Sequence, residues 1–173
     1  MNLLFIRFAC FCAALFLLSC TASRTKQTAM FASNPVVAHR GAFKKNGFPE
    51  NSLASVRESI RLQCTGSEFD VWMTADDSLV INHDPRHGNR EIEKTTYREL
   101  IQVKLSNGEN LPTLREYLTV GLQNNRYTRL VVEIKPSGIS KDRGRLVAER
   151  VVKLVDELKA TRKQYIFRLI IIF

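Results

Sequence analysis

The stretch SEFDVWMTADDSLVINHD, residues 67–84, reads as two short strands around a polar turn. Residues 67–74 form the first strand, Ala75-Asp76-Asp77-Ser78 the turn, and residues 79–82 the second strand. Residues two apart in a strand share a face, so Glu68 and Asp70 point the same way. Neighbouring carboxylates in an apolar strand repel each other and resist leaving water. A hard divalent cation such as Mg²⁺ or Ca²⁺, bound through oxygen, is one way to hold them. The wet face of an edge strand is the other.

Outward from this stretch, helical and strand periods alternate. Residues 36–38 make a short strand that its composition marks as buried. Leu53, Val56 and Ile60 recur at helical spacing behind Asn51 or Ser52 as N-cap. Thr96-Tyr97-Arg98-Glu99 is a capping box that predicts a helix opening at Leu100, and Thr113 with Glu116 forms a second box. Residues 130–134 are a strand closed by Pro136. Val147, Val151, Leu154, Val155 and Leu158 mark a long amphipathic helix, and residues 166–173 are apolar again. Such an order predicts α/β architecture, with βα units around a parallel sheet.

The carboxylate pattern returns in Val132-Glu133-Ile134-Lys135, where Glu133 and Lys135 share a face at a strand's C-terminal end. In a βα barrel those ends form the floor of the active site. Glu133 can complete a three-carboxylate metal site there, with Lys135 meeting a substrate anion; a structural salt bridge is the plainer reading. Two of the three histidines, His39 and His83, directly follow predicted strands. Imidazoles titrate near neutrality and can divide acid and base work. His87 lies in a polar loop and is expected to be exposed. Arg40 beside His39 suits bidentate phosphate binding, and Gly41 lets the backbone turn and a ligand approach. Together these residues describe metal-assisted cleavage of a phosphate ester.

The chain has 173 residues, enough for one domain with a core. Its net charge of +9 suits an anionic partner. The basic residues are scattered without a long run, which argues against nucleic acid as that partner. Residues 1–20 carry Arg7 and an unbroken apolar run over residues 8–18, too short to span a bilayer comfortably. The run ends in Leu17-Leu18-Ser19-Cys20, which resembles a bacterial lipoprotein signal with Cys20 as the lipidated residue. An ordinary signal peptide that happens to contain cysteine is the alternative. Residues 21–35 are polar and read as a tether. Cleavage before Cys20 leaves only Cys20 and Cys64, so no disulfide framework is expected.

His39-Arg40-Gly41, Pro49-Glu50-Asn51-Ser52, Glu68-x-Asp70, His83-Asp84 and Glu133-Ile134-Lys135 resemble, in order and spacing, the glycerophosphodiester phosphodiesterase family. The resemblance covers residues 36–160. It implies a (β/α)8 TIM barrel and hydrolysis of glycerophosphodiesters to glycerol 3-phosphate and an alcohol. By motif, His39 and His83 are the acid/base pair. Glu68, Asp70 and Glu133 hold a divalent metal, Mg²⁺ or Ca²⁺. Arg40 and Lys135 contact the phosphate, and Glu50 supports the metal site. With the lipoprotein-like signal, the expected setting is the bacterial cell envelope, the protein exported and held on a membrane through its lipid anchor.

Two departures stand out. The family usually has Gly after Asp in the turn where this chain has Asp77-Ser78, a change expected to matter little in a surface turn. From Cys20 onward there are 154 residues, against about 250 for a TIM barrel. Only the first half of the barrel is expected, with residues 161–173 as a divergent or frameshifted tail. A half barrel exposes an unpaired edge and an apolar face, so this stretch on its own is expected to lack activity and to aggregate or self-associate. The alternatives are an inactive remnant, a lipoprotein that only binds phosphodiesters, or a phospholipase-like relative on the same barrel. An all-helical HD-type phosphohydrolase built on His83-Asp84 is opposed by the strands around Glu68 and Glu133.

Overall fold

The computed structural model describes Ala32, residues 34–160 and the backbone of residues 167–171. The signal-like segment, Cys20, nearly all of the tether and most of the tail lie outside the described residues.

In chain order the elements are β1 (Asn34–Ala38), α1 (Leu53–Arg61), β2 (Cys64–Met73), β3 (Leu79–Ile81), β4 (Arg86–His87), β5 (Arg90–Glu91), a 3₁₀ turn (Ile92–Lys94), α2 (Tyr97–Leu100), α3 (Leu114–Leu122), β6 (Arg129–Ile134), α4 (Lys141–Glu157) and β7 (Phe167–Ile171). The sheet runs β1-β2-β6-β7 with every neighbour parallel. Only β3 breaks the pattern, folding back antiparallel on the end of β2 so that Val71 faces Ile81.

Alternation along the strands decides which side each residue takes. Phe69, Val71 and Met73 of β2, with Leu130, Val132 and Ile134 of β6, pack under the helices against Val56, Leu114, Tyr117, Leu118, Val147 and Val151. The Phe69 and Tyr117 rings sit 4.4 Å apart at a tilt of 39°, a favoured aromatic arrangement. The intervening residues, Glu68 and Asp70 of β2 and Glu133 of β6, therefore occupy the opposite face. That face is not the wet side of an edge strand: β2 lies between β1 and β6, Glu68 and Asp70 are buried, and Asp70 is 0% exposed.

Ser52 is the N-cap of α1, its Oγ accepting from Ser55 N–H at 3.0 Å. Gly41 has φ 79°, and a Cβ there would lie 2.3 Å from Ser55 Oγ. The close approach that requires glycine is thus made by α1 rather than by a ligand. Both capping boxes form. The first does not open a helix at Leu100, however: α2 is a single turn that ends there, with Ile101 as its C-cap.

Three further expectations are corrected. Val36 and Val37 are 54% and 49% exposed, since β1 pairs only with β2 among the described residues and nothing there covers these side chains. His87 is buried rather than exposed; it lies on β4 and its Nε2 is 2.9 Å from the Val103 carbonyl. The Asp77 turn is a tie to α4. Asp77 has φ 63°, its carboxylate meets Arg150 at 2.9 Å and Arg143 at 3.4 Å, and its carbonyl accepts from Arg150 at 3.2 Å.

Candidate active site

Strand register places the acidic residues. Asp70 stands beside Glu133 where β2 and β6 pair, and Glu68 is two residues earlier on the same face. One carboxylate oxygen from each of Glu68, Asp70 and Glu133 lies within 4.8 Å of the others. Each carboxylate is held differently. Glu68 Oε2 accepts from the Arg40 backbone N–H at 2.9 Å, whereas its Oε1 is buried with no partner. Asp70 Oδ2 accepts from Asn51 Nδ2 at 2.8 Å. Asp70 Oδ1 meets only the Lys135 ammonium, 2.8 Å away and off the hydrogen-bonding direction. Lys135 Nζ also reaches Glu133 Oε1 at 2.6 Å. The salt bridge foreseen as the alternative role of Glu133 therefore exists, inside the cluster.

Three carboxylates beside one ammonium leave negative charge uncompensated. Burial, reinforced by the charges of Asp70 and Glu133, raises the pKa of Glu68 to about 7, although the Arg40 N–H and Lys135 pull the other way. For Lys135 burial lowers the pKa, but its contacts with Asp70 and Glu133 outweigh it and the net shift is upward. An orphaned buried oxygen in a ring of hard oxygen donors fits a divalent cation. Glu68, Asp70 and Glu133 are the residues that can hold one.

The imidazoles stand at the rim. His39 follows β1, its Nε2 is 3.8 Å from Glu68 Oε2, and its side chain is 66% exposed. His83 follows β3, which folds back so that Asn82 N–H donates to the Asp70 carbonyl at 3.1 Å. Trp72 Nε1 donates to the His83 carbonyl at 3.3 Å, and His83 Nδ1 lies 2.8 Å from Asp84 Oδ1. With Nδ1–H given to the aspartate, Nε2 is the nitrogen free to exchange a proton.

Glu50 is outside the three-carboxylate group and reaches it by way of Arg40. Its carboxylate grips the Arg40 guanidinium in a fork, at 3.0 and 3.2 Å. Asn51, next in the chain, is left-handed at φ 56°; the chain turns there, so the two side chains serve different partners. Glu68, Asp70, Glu133 and Lys135 thus share one face of the sheet, His39 reaches Glu68, Arg40 joins through its backbone N–H with Glu50 on its guanidinium, and His83 follows the strand paired with β2. Sequence reasoning missed Asn51, Asp84 and Trp72 as supporting residues. The signal for Asn51 was present: a motif asparagine between a turn and a helix cap is a common left-handed position.

The glycerophosphoryl diester phosphodiesterase family model matches residues 39–170. The chain belongs to that family. A glycerophosphodiester phosphodiesterase of Caldanaerobacter subterraneus subsp. tengcongensis is 31% identical over 134 residues, covering 70% of this chain and 52% of that protein. The solved structure of a glycerophosphodiester phosphodiesterase from Parabacteroides distasonis superposes with a TM-score of 0.73 at 36% identity, over 82% of this chain and 58% of that one. An Oleispira antarctica phosphodiesterase, solved in complex with the product sn-glycerol-3-phosphate, superposes with a TM-score of 0.62 at 26% identity, over 79% of this chain and 56% of that one. The chain spans about half the length of the curated relatives it matches. Its parallel strands and helices are part of the glycerophosphodiester phosphodiesterase TIM barrel, and the carboxylate face is the inner one.

Proposed function

We propose that these residues are the catalytic part of an enzyme that hydrolyses glycerophosphodiesters to glycerol 3-phosphate and an alcohol. The observation that carries this reading is the cluster of Glu68, Asp70 and Glu133 within 4.8 Å, with His39 beside Glu68, in a chain matched by that family over residues 39–170.

In the proposed reaction water attacks phosphorus, the bond to the alcohol breaks, and a proton moves at each end. His39 and His83 are the groups at the rim with exchangeable nitrogens, one accepting the proton of the attacking oxygen and the other protonating the leaving oxygen. Arg40, oriented by Glu50, and Lys135, oriented by Asp70 and Glu133, are the cations for the phosphate oxygens. A divalent cation, Mg²⁺ or Ca²⁺, bound by Glu68, Asp70 and Glu133 would neutralise charge on the phosphoryl group. The deciding experiment incubates purified protein with a glycerophosphodiester and a divalent cation and measures glycerol 3-phosphate. Binding without release would favour a phosphodiester-binding protein instead.

Proton competition sets the pH behaviour of the cluster. Glu68 titrates at about 7, above its ordinary 4.5. The folded metal-free protein therefore holds a proton that the unfolded chain has lost, and this group's contribution to stability falls as pH rises from about 4.5 to about 7. A cation must displace that proton, so affinity is expected to be about tenfold weaker at pH 6 than at pH 8. Calorimetric titration at the two pH values checks this; equal affinities would contradict it.

The location belongs to the same proposal: an exported, lipid-anchored protein of the bacterial envelope, supported by Leu17-Leu18-Ser19-Cys20 after its apolar run. Loss of fatty-acid labelling in Cys20→Ala is the check. Among the described residues no helix is long and apolar enough to cross a membrane. Self-association of residues 21–173 expressed alone is proposed on the exposed Val36 and Val37 of β1, and sedimentation as a monomer would exclude it.

A further inference from the structure

Asn51 does more than turn the chain into α1. Ala38 is the last β1 residue beside β2, where it pairs with Ser67, so Asp70 has no β1 residue next to it. Its carbonyl accepts from Asn82 N–H, and its own N–H donates to Asn51 Oδ1 at 3.3 Å. The other end of the same amide, Nδ2, donates to Asp70 Oδ2 at 2.8 Å. The Asn51 backbone N–H donates to the Arg40 carbonyl at 2.9 Å. Asn51 is 2% exposed, so water does not compete for these bonds. The amide cannot be reversed, because the Asp70 N–H needs an oxygen and the Asp70 carboxylate needs a donor. With Oδ2 engaged, Oδ1 is the oxygen that remains on the side of Lys135 and Glu133.

We propose that Asn51 is a positioning residue that fixes Asp70 as a one-oxygen ligand, presenting Oδ1 to a divalent cation bound among Glu68, Asp70 and Glu133. The inference rests on the metal reading above. A glycine would make the same left-handed turn, so the turn alone does not explain the amide. An aspartate would set a fourth carboxylate against Asp70. A neutral side chain that donates at one end and accepts at the other meets both requirements.

The test uses the full chain and Mn²⁺ as probe, read by calorimetry and by Tb³⁺ luminescence sensitised through Trp72. Trp72 is the single tryptophan and lies on the strand face of Glu68 and Asp70. Asn51→Gly keeps the left-handed backbone and removes the amide. Asn51→Asp keeps the oxygen that accepts from Asp70 N–H and loses the donor. Both are expected to weaken Mn²⁺ binding by about 10–100-fold, the usual effect of losing a ligand's supporting partner. Thr113→Ala, which removes the α3 cap and none of the contacts named for the cluster, is expected to lower the unfolding midpoint and leave Mn²⁺ affinity unchanged. Affinities of both Asn51 variants within about twofold of wild type, well below that range, would overturn the proposal; if Asn51→Gly does not fold, Asn51→Asp decides. Absence of Mn²⁺ binding by the wild type overturns the metal reading itself, and the proposal with it, before any variant is compared.

Discussion

Under the proposed function, in this chain folded or in a version carrying the whole barrel, alanine at His39 or at His83 is expected to lower the rate of glycerophosphodiester hydrolysis by about 10²–10⁴-fold, the usual contribution of a positioned acid or base. His83 is tied at Nδ1 to Asp84 and through its carbonyl to Trp72, which leaves Nε2 available. His39 stands 3.8 Å from Glu68 with most of its ring in solvent. Neither ring belongs to the core under the helices, so both variants are expected to unfold near the wild-type midpoint. The loss should fall on kcat, with KM little changed, because a proton moved in the transition state contributes little to ground-state binding. His87→Ala is the contrasting variant. It removes a partly buried bond to the Val103 carbonyl and should lower stability while leaving turnover per folded molecule intact. A rate within about tenfold of wild type in either rim variant, below the usual range, would remove that histidine from proton transfer.

Under the proposed function, removing the cation with excess chelator, or one of its proposed ligands by Glu68→Ala, Asp70→Ala or Glu133→Ala, is expected to reduce hydrolysis by about 10²–10⁴-fold. Several kcal/mol of charge stabilisation are at stake, and each 1.36 kcal/mol is tenfold in rate. Stability should move differently. The charges of Asp70 and Glu133 raise the pKa of Glu68, so deleting Glu133 relieves repulsion in the metal-free protein. The same change removes the ion pair of Glu133 with Lys135, so urea unfolding without metal should show Glu133→Ala close to wild type in stability, although its metal affinity is lost. A variant equally active in excess chelator would rule out the assignment.

The parts of the site legible in the sequence are those that depend on strand period. Glu68, Asp70, Glu133 and Lys135 sit two apart in apolar strands, and period two alone puts each pair on one face. His39 and His83 were legible as strand-end residues. What escaped depends on contacts between distant segments or on local chirality. Glu50 and Asn51 are adjacent, yet the positive φ of Asn51 sends them to Arg40 and Asp70 respectively. His87 is buried because the loop holding Val103 folds over it, which no local pattern records. Val36 and Val37 have the composition of a buried strand but lack a covering neighbour among the described residues. The capping box at Thr96 announced where a helix starts and carried no information on its length.

The acidic cluster joins parts of the chain that reach each other on unequal terms. Asp70 lies on β2 and His83 follows β3, and the two strands form one hairpin in which Asn82 N–H reaches the Asp70 carbonyl, a local closure that costs little chain entropy. Glu133 lies on β6, separated from that hairpin by the intervening loops and α3, so its closure is the long-range one and is expected to come later. An ion held by all three carboxylates would therefore bind the docked arrangement and not the hairpin alone. At 100 times its dissociation constant such an ion adds about 2.7 kcal/mol to the folded state. Because the clasp closes late, that gain should appear mainly as slower unfolding, with the folding rate nearly unchanged.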